Sequence, residues 1–499
     1  MFKKSMSRRE MLRLSAMTGA GFILASCAPA ATPPPAATSA PAAAATSAPA
    51  AAATSAPAAA ATSAPVATAV PAATVTMAPA ANTEPVTITY WTWAQANLPH
   101  FQAQADRWNK TQTGKPQIKF NGVLVPSTDE TITKGMNAMA AGSGVPDIFL
   151  IEISSFSKFL KGTPTLAEQY LVPLDDKLSA FDNNWKDDFL GFTPYSWHGK
   201  TFGIEIGLSP VAYYYRQDLF DQAGIKMPLE TWDDFMAAGA IMKKAGHAMC
   251  GFDDTSDNEF LMEFLQAGGG LFDQSGNLTL KDEKAYKSVD LVITSAKSGI
   301  RWATEAFWAA PHFAALNDGT VAGAISAIWY SSYIIKSQVK ALSGKWRIQP
   351  LPAWTTTGTW GGADYNTRKT STWGGTGLTI PNQSANPQLT FDFLAFSMLT
   401  KEGATSVYQV MQQMPVVKSV IHDDSVTNIP DDFYGGQAAN KVFADLADSI
   451  PPKYQNPYWN EAETEFSKTV APLLKGDVTP QAAVDGAADA ITKIIAAGA

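Results

Sequence analysis

Beyond residue 85 the chain alternates short apolar strands with amphipathic helical segments. Segments 86–93 and 118–125 favour β-strands, the first with side chains alternating at period two. Between them, segment 99–111 repeats apolar residues at helical spacing. The run 148–153 is apolar on both faces, which is typical of a strand buried in a parallel sheet. This alternation predicts an α/β domain whose ligand sites lie at the carboxyl ends of its strands.

The first 27 residues have the pattern of an export signal. A basic start containing Arg8 and Arg9 precedes a weakly apolar run, 14–25, that is too short to span a bilayer as a helix. The arginine pair resembles the twin-arginine signal, and the general secretory route stays open. The stretch that ends at Cys27 resembles a bacterial lipobox, in which the cysteine becomes the lipidated first residue. A chance cysteine after a cleavage site is the alternative.

Residues 28–85 have a composition that cannot bury a core. Almost all are Ala, Pro, Thr, Ser or Val, and Glu84 is the single charged residue. The octapeptide Ala-Ala-Ala-Ala-Thr-Ser-Ala-Pro occurs without change at 42–49, 50–57 and 58–65. A proline in every repeat prevents a continuous helix, so we expect a disordered tether between a membrane anchor and a globular head.

The net charge limits the classes of partner that the chain can bind, and the cysteine content limits the disulfides that it can form. The formal net charge of the chain is −8. Because basic residues are concentrated in the signal, the folded portion is more acidic than this value. We therefore expect no nucleic-acid partner. The other cysteine, Cys250, has no partner inside the exported protein, which excludes an internal disulfide. We expect Cys250 to be a small buried apolar residue.

Motifs of catalysis and cofactor binding are missing from the sequence. It contains no HExxH, no P-loop and no GxSxG motif. The five histidines are too far apart for local metal-ligand spacing. We therefore predict no cofactor, no metal and no catalytic residue.

A series of landmarks in 86–499 resembles the carbohydrate-type solute-binding lipoproteins of bacterial ABC importers, the maltose-binding-protein-like family 1. Each landmark is weak alone, but their order and spacing are specific. They lie at 140–148, 171–176, 198–204, 213–225, 228–235, 323–329, 373–378 and 476–483. The strand end at 152–155 lacks the family's commoner aspartate pattern, so the sequence does not identify the sugar.

The resemblance implies an α/β, two-lobed periplasmic-binding-protein fold with the ligand cleft between the lobes. Three interlobe crossings would form a hinge, near 207–211, 373–377 and 415–425. The implied lobes are 86–208 plus 373–420 for lobe one, and 209–372 plus 421–499 for lobe two.

Sugars present apolar C–H faces ringed by hydroxyls, so a sugar site needs aromatic rings for the faces and polar side chains for the hydroxyls. We therefore look for the site among the aromatic and acidic residues. Trp93 and Glu152 end predicted strands, although Trp93 competes with Trp91 and could be a core aromatic. By resemblance, Trp329 and Trp459 are sugar-facing aromatics, with core packing as the alternative. The predicted ligand-binding residues are Trp93, Glu152, Trp329, Tyr330, Trp373 and Trp459, with Glu205 and Asp364 as weaker polar candidates.

The sequence therefore predicts a monomeric receptor on the outer face of the cell membrane, anchored through Cys27. The receptor would bind a small carbohydrate and deliver it to the transmembrane subunits of an ABC permease. An anchored carbohydrate-active enzyme or adhesin is one alternative. A receptor of the same fold for a polyol, peptide or polyamine is the other.

Overall fold

A computed structural model describes residues 84–498. The strands are β1 (Val86–Thr92), β2 (Ile118–Leu124), β3 (Ile148–Glu152), β4 (Ser196–Trp197), β5 (Lys200–Thr201), β6 (Gly203–Glu205), β7 (Val211–Arg216), β8 (Cys250–Asp253), β9 (Arg301–Thr304), β10 (Gly323–Ala327), β11 (Trp346–Pro350) and β12 (Thr376–Thr379).

The α-helices are α1 (Asn97–Thr111), α2 (Thr128–Ala141), α3 (Ile153–Phe159), α4 (Leu166–Tyr170), α5 (Asp175–Phe181), α6 (Trp185–Asp188), α7 (Gln217–Gln222), α8 (Trp232–Lys244), α9 (Asn258–Gln266), α10 (Glu283–Lys297), α11 (Ala310–Asp318), α12 (Lys336–Gln338), α13 (Pro387–Met398), α14 (Lys401–Ser406), α15 (Lys418–Ile421), α16 (Asp424–Thr427), α17 (Ala439–Ala444), α18 (Trp459–Ser467), α19 (Val470–Lys475) and α20 (Pro480–Gly498). Single turns of 3₁₀ or π-helix lie at Thr193–Tyr195, Ser331–Ile335, Lys340–Leu342, Val407–Met411, Asp432–Tyr434 and Ala447–Ser449.

The first sheet has the strand order β2-β1-β3-β12-β6. β1 is parallel to β2 and β3, as the alternation of strands and helices predicted. β12 runs antiparallel to both β3 and β6, so the sheet that buries 148–152 is mixed rather than wholly parallel. The carboxyl ends of β1, β3 and β6 and the amino end of β12 therefore share one edge.

Local signals in the sequence set the ends of the elements around this sheet. The hydroxyl of Ser127 accepts a hydrogen bond from the backbone N–H of Glu130 (3.2 Å) at the start of α2. Gly142, with φ of 69°, ends that helix in the left-handed region. The carboxylate of Asp147, just before β3, accepts from the backbone N–H of Thr89 (2.9 Å) in β1. These contacts fix the two ends of α2 and tie the start of β3 to β1.

A second, antiparallel sheet has the order β10-β7-β11, and β8 and β9 form a parallel pair beside it. α8 packs Trp232 and Phe235 into the core of this half, together with the fully buried Trp354. The side chain of Thr231 and the carboxylate of Asp234 form a capping box at the start of α8.

The chain passes between the two sheets at several points. It leaves the first sheet after β6 and enters the second at β7, and it returns from β11 to β12. Two isolated β-bridges join residues of the connecting segments: Leu208 pairs with Met414, and Pro210 pairs with Thr372. The connecting segments therefore run side by side.

The predicted signal, its lipidated Cys27 and the tether as far as residue 83 lie outside the described residues. Among residues 84–498, no helix has the length and apolar character needed to cross a bilayer.

Candidate functional site

Glu152 stands at the carboxyl end of β3, where the chain turns directly into α3. One of its carboxylate oxygens accepts hydrogen bonds from the backbone N–H groups of Ser154 (2.8 Å) and Ser155 (3.3 Å), and from the Ser154 hydroxyl. The acid therefore caps α3, which fixes the carboxylate at the sheet edge. The sequence predicts that this acid faces a ligand site, and that role stays a prediction.

A cavity of about 610 Å³ opens beside Glu152, and we call it the cleft cavity. Its volume lies within the range of small-molecule binding sites. It is lined by Glu152, Ser154, Thr255, Ser256, Asp257, Asn258, Trp373, Gly374, Lys453, Asn460, Glu463, Thr464, Ser467 and Lys468. The lining therefore combines the edge of the first sheet, the loop before α9 and one face of α18.

Two acids that line the cleft cavity, Asp257 and Glu463, influence each other. Asp257 is 4 % exposed, and its carboxylate accepts from the hydroxyl of Ser467 (2.8 Å). Burial, with the nearby charge of Glu463, raises the pKa of Asp257 to about 7. Burial also raises the pKa of Glu463, an effect opposed by the ammonium of Lys453. The cavity therefore offers carboxyl groups that can donate or accept hydrogen bonds near neutral pH.

Three tryptophans form an indole cluster next to the cavity. Ring centroids of Trp329 and Trp308 lie 5.3 and 5.4 Å from that of Trp373. The Trp329 indole N–H donates to the backbone carbonyl of Trp373 (3.0 Å), and the Trp373 indole N–H donates to the Asn258 side chain (3.2 Å). Trp308 remains 46 % exposed. The cluster can therefore present aromatic surface to a ligand.

The structure separates the six predicted site residues into two groups. Glu152 and Trp373 line the cleft cavity, and Trp329 contacts Trp373. Trp93 is half-buried just past β1 at the same sheet edge, but it is not among the residues that line the cavity.

Tyr330 and Trp459 lie in the core instead. Tyr330 is 0 % exposed and its hydroxyl pairs with the His312 ring (3.2 Å), while Trp459 is 1 % exposed and packs on Phe272. Neither ring has a face open to a ligand in this conformation. We therefore leave both out of the proposed site.

Of the two weaker candidates, Asp364 is exposed and Glu205 is buried. Burial raises the pKa of Glu205 to about 8, although the Lys453 ammonium acts in the opposite direction. Glu205 lines a smaller cavity of about 330 Å³, which shares Lys453 with the cleft cavity.

Sequence reasoning missed the polar face of α18 and the exposed Trp308. Trp459, Ala462 and Phe466 of α18 point into the core. The residues that line the cavity therefore follow at helical spacing on the other face: Asn460, Glu463, Thr464 and Ser467. The helical period of this segment was the available signal.

The raised pKa of Asp257 predicts that the free energy of unfolding depends on pH. Because the folded state raises its pKa from 3.8 to about 7, the folded state holds the proton more tightly than the unfolded chain, and stability falls as pH rises through that interval. Asp257→Asn stays neutral and should gain about 1–3 kcal/mol relative to the native chain between pH 5 and pH 8. Urea unfolding at both pH values measures this, with the exposed Asp187→Asn as control. If Asp257→Asn gained the same free energy of unfolding at pH 5 and at pH 8, the raised pKa of Asp257 would be contradicted.

Comparisons with known proteins agree on one class. A family model described as bacterial extracellular solute-binding protein matches residues 103–434. The chain is 28 % identical over 412 residues to the arabinooligosaccharide-binding protein of Bacillus subtilis strain 168, covering 80 % of this chain and 90 % of that protein. It is 27 % identical over 404 residues to the lactose-binding protein of Rhizobium radiobacter, covering 78 % and 88 % respectively.

A solved structure has the same architecture. The ABC transporter associated binding protein from B. animalis subsp. lactis Bl-04, in complex with β-1,6-galactobiose, superposes with a TM-score of 0.63. The match covers 83 % of this chain and 97 % of that chain at 22 % identity. At that identity the likeness shows a shared fold.

Proposed function

This chain belongs to the bacterial extracellular solute-binding protein family, and we propose that it binds a carbohydrate in the cleft cavity for uptake by an ABC importer. As a member of that family it is an exported substrate-binding protein and not an enzyme. It has the two-lobed α/β fold of such proteins.

The observation that carries the proposal is the composition of the cleft cavity. Aromatic surface at Trp373 meets carboxyl groups at Glu152 and Asp257 and amide groups at Asn258 and Asn460. A sugar needs this combination, because its C–H faces pack on aromatic rings while its hydroxyls both donate and accept hydrogen bonds. Relatives named for arabinooligosaccharide and lactose binding support a carbohydrate over a peptide or polyamine.

We place the cleft between the lobes that the sequence predicted. β1, β2, β3, β6 and β12 share the first sheet, whereas β7, β10 and β11 build the second, which supports lobe one as 86–208 plus 373–420. Lobe two is then 209–372 plus 421–499. Glu152 belongs to lobe one and the α18 face to lobe two, so a ligand touching both would favour the closed arrangement.

The test is a thermal-shift screen over arabinooligosaccharides, lactose, β-1,6-galactobiose, polyols and peptides, followed by calorimetry. A ligand that binds the folded state alone stabilises it by about 2.7 kcal/mol at a hundredfold excess over its Kd. We expect at least one oligosaccharide to raise Tm without being hydrolysed. Stabilisation by a peptide or polyamine alone would overturn the carbohydrate assignment.

Membrane attachment through Cys27 is the second part of the proposal, together with delivery to permease subunits. Cys27→Ala should release the protein from the membrane fraction and leave its sugar affinity unchanged, because more than fifty residues separate the cysteine from β1. Fractionation and calorimetry measure the two effects, with Cys250→Ala as the control that keeps the lipobox. A Cys27→Ala protein that stays with membranes would contradict lipid anchoring.

A further inference from the structure

An ion pair links two of the helices that line the cleft cavity. The ammonium of Lys161, just after α3, donates a hydrogen bond to the carboxylate of Glu461 in the first turn of α18. α3 and α18 contact each other, and Ser154 of α3 and Asn460 of α18 both line the cavity. By the proposed boundaries Lys161 belongs to lobe one and Glu461 to lobe two, so the pair spans the cleft.

The other ion pairs of residues 84–498 differ from this one in where they lie. Besides Lys161–Glu461, the single ion pair in that range that joins residues of different proposed lobes is Lys401–Asp423. Asp423 lies in the proposed crossing near 415–425. A pair beside a crossing keeps its separation when the lobes move, whereas Lys161 and Glu461 must separate when α18 moves away from α3.

The surroundings of the pair determine how strongly it acts. The Lys161 ammonium lies 5.9 Å from the ring centroid of Tyr458, the residue before α18, which adds a second contact of lysine with the same helix end. The side chains of Lys161 and Glu461 are 46 % and 32 % exposed, so water and dissolved salt reach the pair. An ion pair with this exposure changes an equilibrium by up to about fivefold, and salt screens it.

We infer that Lys161 and Glu461 form a latch that favours the closed arrangement of the two lobes before any ligand binds. The inference rests on the proposed function, because the lobes and the cleft are those of that proposal. A ligand that needs the closed arrangement binds with an apparent affinity that scales with the closed fraction. The latch therefore makes both the closed fraction and the ligand affinity depend on the ionic strength of the medium.

The distance between the lobes in the ligand-free protein is the readout. Nitroxide labels at Gln169→Cys in α4 and Gln481→Cys in α20 report it by pulsed electron paramagnetic resonance in the full-length Cys27→Ala chain. Both glutamines are exposed, and α4 and α20 contact α3 and α18 respectively. Cys250 is 0 % exposed and stays unlabelled. We expect a shorter and a longer distance, the populations of the closed and open arrangements.

Lys161→Met should lower the ratio of closed to open molecules by about two- to fivefold at about 0.01 M salt. Glu461→Gln should give the same fall, and the double variant no further fall, because each change removes the same pair. At about 1 M salt the native ratio should approach that of Lys161→Met. Lys115→Met is the matched control, because Lys115 pairs with Asp392 inside lobe one, and it should leave the ratio unchanged.

Three results would overturn the inference. The first is a single distance that neither the variants nor salt alters. The second is an unchanged ratio in both Lys161→Met and Glu461→Gln. The third is that the effects of the two single variants add in the double variant, which would mean that each residue acts through other contacts. Failure of the sugar cleft has a different signature, because no oligosaccharide would then raise Tm while the ratio still responded to Lys161→Met.

Discussion

Arg301→Met is expected to destabilise the protein by about 3–5 kcal/mol, the cost of removing one partner from a buried ion pair. The guanidinium of Arg301, 1 % exposed, lies 2.5 Å from the carboxylate of Glu263. Glu259, on the same helix α9, is also buried, and burial raises its pKa to about 8 while Arg301 opposes the change. Without Arg301, two acids would stay in the core with no opposite charge.

The pH profile separates this mechanism from a simple packing defect. In Arg301→Met the carboxyls of Glu259 and Glu263 can become neutral as the pH falls, so the loss of stability should shrink towards pH 5. Denaturant unfolding across the pH range measures it. The double variant Arg301→Met, Glu263→Met should recover part of the loss, because it replaces charges by apolar side chains of similar length.

A matched surface pair provides the control for Arg301. Lys115 lies 3.0 Å from Asp392 with its side chain 52 % exposed, and Lys115→Met should cost less than about 1 kcal/mol. A loss for Arg301→Met that is equally small, or independent of pH, would contradict the buried-charge argument. The result bears on function, because α9 carries Glu263 in the core and begins at Asn258 in the cleft cavity.

Strong local patterns account for the part of the fold that the sequence predicted. β1, β2 and β3 match the predicted segments to within one residue, and α1 begins two residues before the predicted helix. The antiparallel insertion of β12 between β3 and β6 was not predicted. Its four residues follow two glycines and have no periodic pattern, so their pairing depends on distant parts of the chain.

Predicting the site required knowing which face of each element is buried. Glu152 and Trp373 line the cleft cavity because Glu152 ends β3 and Trp373 lies just before β12 at the same sheet edge. Their role in binding stays a prediction. For α18 the sequence drew attention to Trp459, the largest aromatic, which packs inward. Its neighbour Asn460 lines the cavity instead. Residue type alone does not give the rotation of a helix, and that rotation is decided by the core it packs against.

Trp329→Ala is expected to weaken sugar binding by about 1–3 kcal/mol, roughly 5- to 150-fold. The ring supports Trp373 by contact and through the hydrogen bond to the Trp373 carbonyl (3.0 Å). Its loss should therefore remove aromatic surface and loosen the wall formed by Trp373 and Gly374. Trp329 is half-buried at the edge of both large cores, so the fold itself should be affected less than binding.

Trp329→Phe separates the two contributions, because it retains an aromatic face and loses only the indole N–H. Calorimetry should place its affinity between those of the native chain and Trp329→Ala. Small-angle scattering with and without the sugar reports closure, since a ligand shifts the lobes only by the contacts that differ between open and closed states. Unchanged affinity in Trp329→Ala would remove the indole cluster from the site. An identical radius of gyration with and without bound sugar would show that binding does not close this cleft.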